Sequence, residues 1–461
     1  MEVKIVRVAG YLVSLLAILA WIPSIDGEME LGSRVSIPVP PAYEEGFEAR
    51  AFIIQTVAGA LPTFKLALAI YGRGGVYLCR LEVVQDGFVM WKSGCTRRFV
   101  PVDMCVIFLS NDGDLLLSDG MGTVGWSTNT SNRGVKFIQL KRSGNLVLRN
   151  RFRRMVWQSF DFPCDKLLWG QKLRNSQQLL SNGSDYSLSI QHNELVLKWH
   201  GLNYWTTKVN TKDIDYAQIG RHGIELWCNA SLHTIVGPSS SSPIHFISLG
   251  QTGILTMYTY GPPWMPIIVA PNGSCNNPEA CGPYGVCTEG VIASNNNDTN
   301  SISCSCLPYF QSTTLSQGCM LPTQFTFNFC GKPTEFLELR GFDSPLMGLT
   351  KNLSSKACAN ACLEDCTCIA AISTNSSICY LYTQLQSIRR RPSKSEELKM
   401  YVKIPKGLST RGGGKAKKMR MLFVILGACV DMIALILIGT GVMYYFYVYK
   451  RRQVSSATPQ M

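Results

Sequence analysis

The amino-acid sequence predicts a mainly β protein of several units, internally repeated in its N-terminal part and ending in one membrane-crossing helix. Three observations predict it. Short apolar runs alternate with Asn-Asp-Gly and Ser-Gly-Asn turn signals between Leu31 and Leu173, the pattern of hairpin-linked strands. Of 18 cysteines, 17 precede residue 421, a density that in an exported chain reads as a disulfide framework. Finally, Met421 to Tyr449 is predominantly apolar, and longer than the roughly 20 residues a helix needs to cross about 30 Å of hydrocarbon.

Composition sets the compartment. A chain of 461 residues has room for several domains, and 46% hydrophobic against 16% charged residues excludes intrinsic disorder. The net charge of +13 is concentrated: nine basic residues lie between Lys406 and Met461 against one acid, Asp431, leaving +5 for the first 405 residues. Basic charge that flanks an apolar segment marks a membrane boundary, so no nucleic-acid partner is expected. At the N-terminus, Lys4 and Arg7 precede the apolar run Val8 to Trp21, then Ser24, Asp26 and Gly27, so residues 1–26 read as a signal peptide. The span 421–449 ends in Tyr444, Tyr445, Tyr447 and Tyr449, an interfacial aromatic cluster, followed by Lys450-Arg451-Arg452. With a basic linker at 405–420 and a tail at 450–461, a single-pass plasma-membrane protein with its N-terminus outside is expected. Six basic residues before the span and three after it favour the reverse orientation by charge count; the signal decides, because long domains translocate largely regardless of charge. Seven N-x-S/T sequons, at Asn129, Asn182, Asn229, Asn272, Asn297, Asn352 and Asn375, all precede the span and fit a glycosylated ectodomain.

Within residues 31–175, Leu109-Ser-Asn-Asp-Gly-Asp-Leu-Leu-Leu and Leu140-Lys-Arg-Ser-Gly-Asn-Leu-Val-Leu are near-duplicates, which predicts an internally repeated prism or small barrel. Together with Trp126-Ser-Thr-Asn and Val156-Trp-Gln-Ser-Phe-Asp-Phe-Pro-Cys-Asp-Lys-Leu-Leu-Trp-Gly, they resemble the bulb-type mannose-lectin domain of plant S-locus glycoproteins and S-domain (G-type lectin) receptor kinases. The resemblance implies a bulb-lectin-type β-prism. The family's sugar pocket uses a Gln-x-Asp-x-Asn-x-Val-x-Tyr strand, and this chain departs from it. The first copy keeps Asp112 but has Ser110, Asp114, Leu116 and Ser118 in the other places; the second keeps Asn145 and Val147 beside Lys141, Ser143 and Arg149. A polar pocket loses affinity when its hydrogen-bonding partners are missing, so the lectin fold is expected to serve here as scaffold. Strand-like segments at 176–270 predict a second β domain of the S-locus glycoprotein kind.

Six cysteines in residues 275–319 (Cys275, Cys281, Cys287, Cys304, Cys306 and Cys319) follow C-x5-C-x5-C-x16-C-x-C-x12-C, and so small a module needs staples. The string resembles the family's EGF-like module, with 294–301 as an inserted loop. Residues 328–404 hold six more (Cys330, Cys358, Cys362, Cys366, Cys368 and Cys379), where Asn352-Leu-Ser-Ser caps a helix that places Cys358, Cys362 and Cys366 at i, i+4 and i+8. This unit resembles an α+β PAN/apple domain, and the resemblance implies the pairs Cys358–Cys379, Cys362–Cys368 and Cys330–Cys366. Upstream, Cys79, Cys95, Cys105, Cys164 and Cys228 form an odd set, and Cys164 stands where the family usually has Thr.

No catalytic machinery is expected. The five histidines are scattered without an HExxH pair, no G-x-S-x-G elbow is present, and the 12 residues after the span contain no Gly-rich loop or Asp-Phe-Gly. No cofactor is expected either. Asp431 stands out, because a carboxylate near mid-bilayer costs about 2.5 to 3.5 kcal/mol and is usually paired. It is the expected contact for a membrane partner such as a receptor kinase co-receptor. The reading is a receptor-like protein that binds an extracellular peptide or glycan ligand and works as a homo- or hetero-dimer or beside a kinase; the alternative is a wall-facing adhesive glycoprotein or a decoy.

Overall fold

The computed structural model describes residues 28–56, 63–183, 185–207, 213–237, 242–259, 264–290, 301–312, 318–322, 329–394, 397–408 and 432–451. The signal segment 1–26, Asn297, Asp431 and most of the linker 405–420 lie outside them. The protein is mainly β.

Three four-stranded antiparallel sheets build the N-terminal prism. Each combines three consecutive strands with one strand from the start of the chain: Glu48–Gln55 joins Lys65–Arg73, Val76–Gln85 and Phe88–Lys92; Arg34–Pro38 joins Met104–Leu109, Leu115–Ser118 and Val124–Ser127; Glu28–Glu30 joins Val135–Leu140, Leu146–Asn150 and Met155–Gln158. Alternation turns one side chain in two inward, so Leu66, Leu68, Leu81, Val83, Leu115, Leu117, Leu146 and Leu148 close a common core, all 1% exposed or less.

The second β domain repeats this topology. Lys166–Leu168, Lys172–Arg174 and Gln178–Leu180 come first in sequence, and the hairpin triplets then fill the three sheets in reverse order, from 186–206 through 216–236 to 244–270. Because the first two of those strands already pair with Ile244–Leu249 and Tyr216–Ile219, the chain enters the second prism before residue 166 rather than at the expected 175/176 boundary. The Trp157 to Gly170 string is that junction. Phe162 stacks on Trp157 at 5.6 Å, Cys164 is bonded to Cys95, and Asp165 O accepts from Leu249 N at 2.8 Å.

The six-cysteine module and the C-terminal unit pack onto the second prism as one body. Tyr186, fully buried, donates its hydroxyl to Glu279 Oε2 at 2.6 Å, and Met347 N donates to Asn203 O at 2.7 Å. Strand Gly285–Gly290 of the module pairs in parallel with Ile388–Arg390 of the C-terminal unit, so the two share a sheet, and one apolar cluster runs from Leu167 to Leu408. In the C-terminal unit a five-stranded sheet carries the helix Ser355–Glu364, whose N-cap Ser354 accepts from Ala357 N. Cys358 and Cys362 lie buried on that helix, but Cys366 does not share it, correcting the three-cysteine face expected from spacing. Asp365 ends the helix, its carboxylate accepting from Thr367 N at 2.8 Å and Thr367 Oγ1 at 2.7 Å, an Asx-type turn that competes with helical hydrogen bonding.

Residues Met432–Arg451 form a 20-residue helix with none of its apolar window buried in the protein, long enough at about 1.5 Å per residue to cross about 30 Å of hydrocarbon. Length and composition suit a single-pass membrane protein.

Candidate functional site

Three tryptophans organise the first prism. Trp91, Trp126 and Trp157 meet edge to face with centroids 5.9, 5.9 and 6.0 Å apart, the arrangement favoured by the ring quadrupole. Each sits two residues before a hydroxyl that accepts from a backbone N–H of the neighbouring strand: Ser93 Oγ from Leu81 N at 3.0 Å, Thr128 Oγ1 from Leu115 N at 3.1 Å, Ser159 Oγ from Leu146 N at 2.9 Å. The tryptophans pair in register with Val83, Leu117 and Leu148. Arg80, Asp114 and Asn145 are therefore one position repeated three times, each just before its clamped leucine and on the side of the strand away from the leucine core.

At that position the sugar-motif residues serve the scaffold. Asp114, 7% exposed, accepts from Ser127 Oγ at 2.6 Å, Thr128 Oγ1 at 2.8 Å and Thr130 N at 3.1 Å. Asn145, 4% exposed, donates to Gln158 Oε1 at 2.8 Å and accepts from Ser159 Oγ at 3.2 Å. Both tie a turn tip to the strand after it. Asp112 sits apart, exposed in the turn, where hydrogen bonds from Ser110 and Ser131 hold its carboxyl below the usual range. Val147 is fully buried. The retained motif residues thus do not converge on one open pocket.

The third sheet carries a polar cluster that sequence reading missed. Glu82 is fully buried, and its carboxylate accepts from Tyr71 OH at 2.6 Å, from Arg50 Nε at 3.1 Å and from Arg80. The Arg80 guanidinium lies 4.2 Å over the Tyr71 ring. Burial pushes the Tyr71 phenol up, and the Glu82 charge adds to the rise. Lys92, opposite Glu82 in register, donates to Asn182 Oδ1 at 3.1 Å across the prism junction, and burial lowers its pKa. The signal was present as Arg80 and Glu82 at alternate places in an otherwise apolar strand. Half-buried guanidinium groups beside a phenol suit recognition of an acidic or hydroxyl-rich ligand.

Where the two prisms abut, a cleft of about 270 Å³ is lined by Phe64, Leu168, Trp169 and Ile244 together with Arg142 and Ser143 of the second motif copy. Among the described residues no three His, Cys, Asp or Glu side chains are grouped to hold a metal ion.

The cysteines pair within their units. Cys275–Cys287, Cys281–Cys304 and Cys306–Cys319 staple the module; Cys330–Cys366, Cys358–Cys379 and Cys362–Cys368 staple the C-terminal unit; Cys79–Cys105 and Cys95–Cys164 lie upstream. Cys228 is half-buried at the end of strand Ile224–Cys228. The sequon residues Asn129, Asn182, Asn229, Asn272, Asn352 and Asn375 are all exposed.

Comparison with known proteins agrees with this architecture. Residues 99–189 match the D-mannose binding lectin family, 229–314 the S-locus glycoprotein domain and 346–404 the PAN-like domain. A G-type lectin S-receptor-like serine/threonine-protein kinase of Arabidopsis thaliana is 24% identical over 400 residues, 77% of this chain and 44% of the kinase. EP1-like glycoprotein 4 of Arabidopsis thaliana is 26% identical over 373 residues, 70% of this chain and 79% of that protein. A PAN domain-containing protein of the same plant is 25% identical over 355 residues, 71% of this chain and 70% of its own length. The chain thus spans less than half the length of its kinase relative. Lectin, S-locus glycoprotein and PAN-like segments thus lie in this order on one β-rich, disulfide-stapled body, and the chain is similar to plant G-type lectin S-receptor-like kinases and EP1-like glycoproteins.

Proposed function

We propose that this protein is a cell-surface receptor-like glycoprotein that binds an extracellular glycan or peptide and signals through a kinase-bearing membrane partner. The observation that carries the reading is the union of a rigid, disulfide-stapled lectin-type ectodomain with one apolar helix of membrane-crossing length. It acts by binding through its extracellular domains, and Asp431 supplies the intramembrane contact. The module 275–319 acts as an EGF-like staple that packs with the PAN unit against the second prism.

Proximity labelling from the cytosolic end of the full-length protein in plant cells tests this. A receptor kinase recovered with the wild type and lost with Asp431→Leu supports the reading. Equal recovery from both forms removes Asp431 from it, and recovery of no kinase removes the partner. A second reading, an adhesive or ligand-sequestering glycoprotein, is favoured by the 79% coverage of EP1-like glycoprotein 4, and gains if no kinase is recovered.

A further inference from the structure

We infer that the outward face of one sheet of the second prism is a binding site for a neutral glycan chain, an inference that rests on the ligand-binding reading and assigns it a place. The sheet comprises Lys172–Arg174, Tyr216–Ile219, Ile224–Cys228 and Ser231–Val236. Leu173, Ala217 and Leu226 pair across it and face the core, each 1% exposed or less. Alternation therefore turns two rows outward: Lys172, Gln218, Glu225 and Ile235 in one, Arg174, Tyr216, Trp227 and Leu232 in the next.

The half-buried rings of Tyr216 and Trp227 lie 6.0 Å apart and within 11° of parallel, an aromatic platform bordered by Leu232 and Ile235, both more than two-fifths exposed. Glu225 Oε2 accepts from Gln218 Nε2 at 2.9 Å and from Trp227 Nε1 at 3.0 Å, fixing amide, carboxylate and indole relative to each other. The Lys172 ammonium lies 3.7 Å over the Tyr216 ring. Gly220 makes room for the carboxylate, since a Cβ there would fall 1.8 Å from Glu225 Oε1. An aromatic platform takes the C–H face of a pyranose, while amide and carboxylate take its equatorial hydroxyls. Lys172 and Glu225 balance in charge and Arg174 is paired with Asp161 at 3.5 Å, which favours a neutral sugar over a uronate. None of these residues lies in the two sugar-motif copies of the first prism.

One competing occupant is close at hand. Asn229 stands at the hairpin tip after Trp227, its N–H on Asp215 Oδ2 at 2.7 Å, so a glycan attached there could cover the platform. Calorimetric titration of the full-length protein in detergent with cellohexaose, a flat, all-equatorial neutral chain, and with mannohexaose separates these cases. The expected result is cellohexaose binding that weakens about tenfold or more in Trp227→Ala and Glu225→Ala, persists in Trp227→Phe, and is unchanged in Asp112→Ala on the first prism; unaltered melting of the variants excludes misfolding. Binding that ignores Trp227 and Glu225 overturns this site while leaving the ligand-binding reading intact. Binding that emerges only in Asn229→Gln overturns it in favour of the protein's own glycan. Failure of the wild type to bind either sugar overturns the site too, and the kinase-recovery experiment then decides the broader reading separately.

Discussion

Asp114 and Asn145 are sugar-motif positions whose side chains hold the scaffold. Each is buried and holds a turn against the following strand, so truncation strands hydroxyl and amide partners away from water. Asp114→Ala and Asn145→Ala should each cost about 2 kcal/mol, visible as a lower melting temperature of the full-length protein; mannose-specific effects without destabilisation would contradict this. Trp91, 5% exposed and donating its indole N–H to Phe162 O at 2.9 Å, is a harsher test. Trp91→Ala should remove about 3 to 5 kcal/mol and abolish accumulation of the folded protein. At this scale the sequence was half legible. The motif copies at 109–117 and 140–148 stood out because both keep Gly-x-Leu-x-Leu, whereas the third copy, with Arg80 in the Asn place, lies in a longer hairpin without that turn. Its Arg80, Glu82, Tyr71 and Arg50 contacts join residues from three strands, and no local pattern records such a meeting.

Among the elements, the tight turns and the PAN helix are the most exposed to single changes. The turn 250–254 in the second prism matches 141–145 in the first, each closed by the same backbone pair of hydrogen bonds. At its centre Gly253 has φ +74 and would put a Cβ 2.3 Å from Tyr186 Cε1. Gly253→Ala should therefore cost more than the roughly 1 kcal/mol of backbone strain alone, and Tyr186 should lose protection from solvent; a variant that melts like the wild type would contradict the packing. Ser354→Ala removes the helix cap and should cost about 1 kcal/mol, read from the same melting curve. The second prism itself was legible only as strands. Its repeat was hidden because Thr234 and Ile267 stand where the first prism has tryptophan, and only Trp205, paired with Leu197 and followed by the Thr207 clamp on Leu195 N at 3.2 Å, preserves the pattern. The helix ended a turn early because Asp365 offers its own hydrogen bonds, a local contest that cysteine spacing does not reveal.

For the whole molecule, alkaline pH is a global probe. Tyr71, Tyr186, Tyr204, Tyr284 and Tyr382 all have phenols raised chiefly by burial. A phenol whose folded pKa exceeds its unfolded value of about 10 stabilises the fold fully below that pH and loses the contribution as pH rises through it. Lys92 and Lys403, lowered by burial, act oppositely, since the unfolded state then binds the extra proton and stability rises with pH toward about 10.5. With five phenols against two amines, melting temperature should fall steeply above about pH 10, and a flat profile would contradict the burial of these rings. Their positions, from the first prism through to the PAN unit, make the decline a property of the entire β body.

Everything proposed for function depends on which side of the membrane the β body stands. Charge around the span favours one orientation and the N-terminal apolar segment the other, so protease protection on intact cells is the most direct test. With one epitope inserted before Glu28 and another after Met461, external protease should destroy the first and spare the second. Protection of the first with loss of the second would place the prisms inside the cell and contradict the receptor reading at its root.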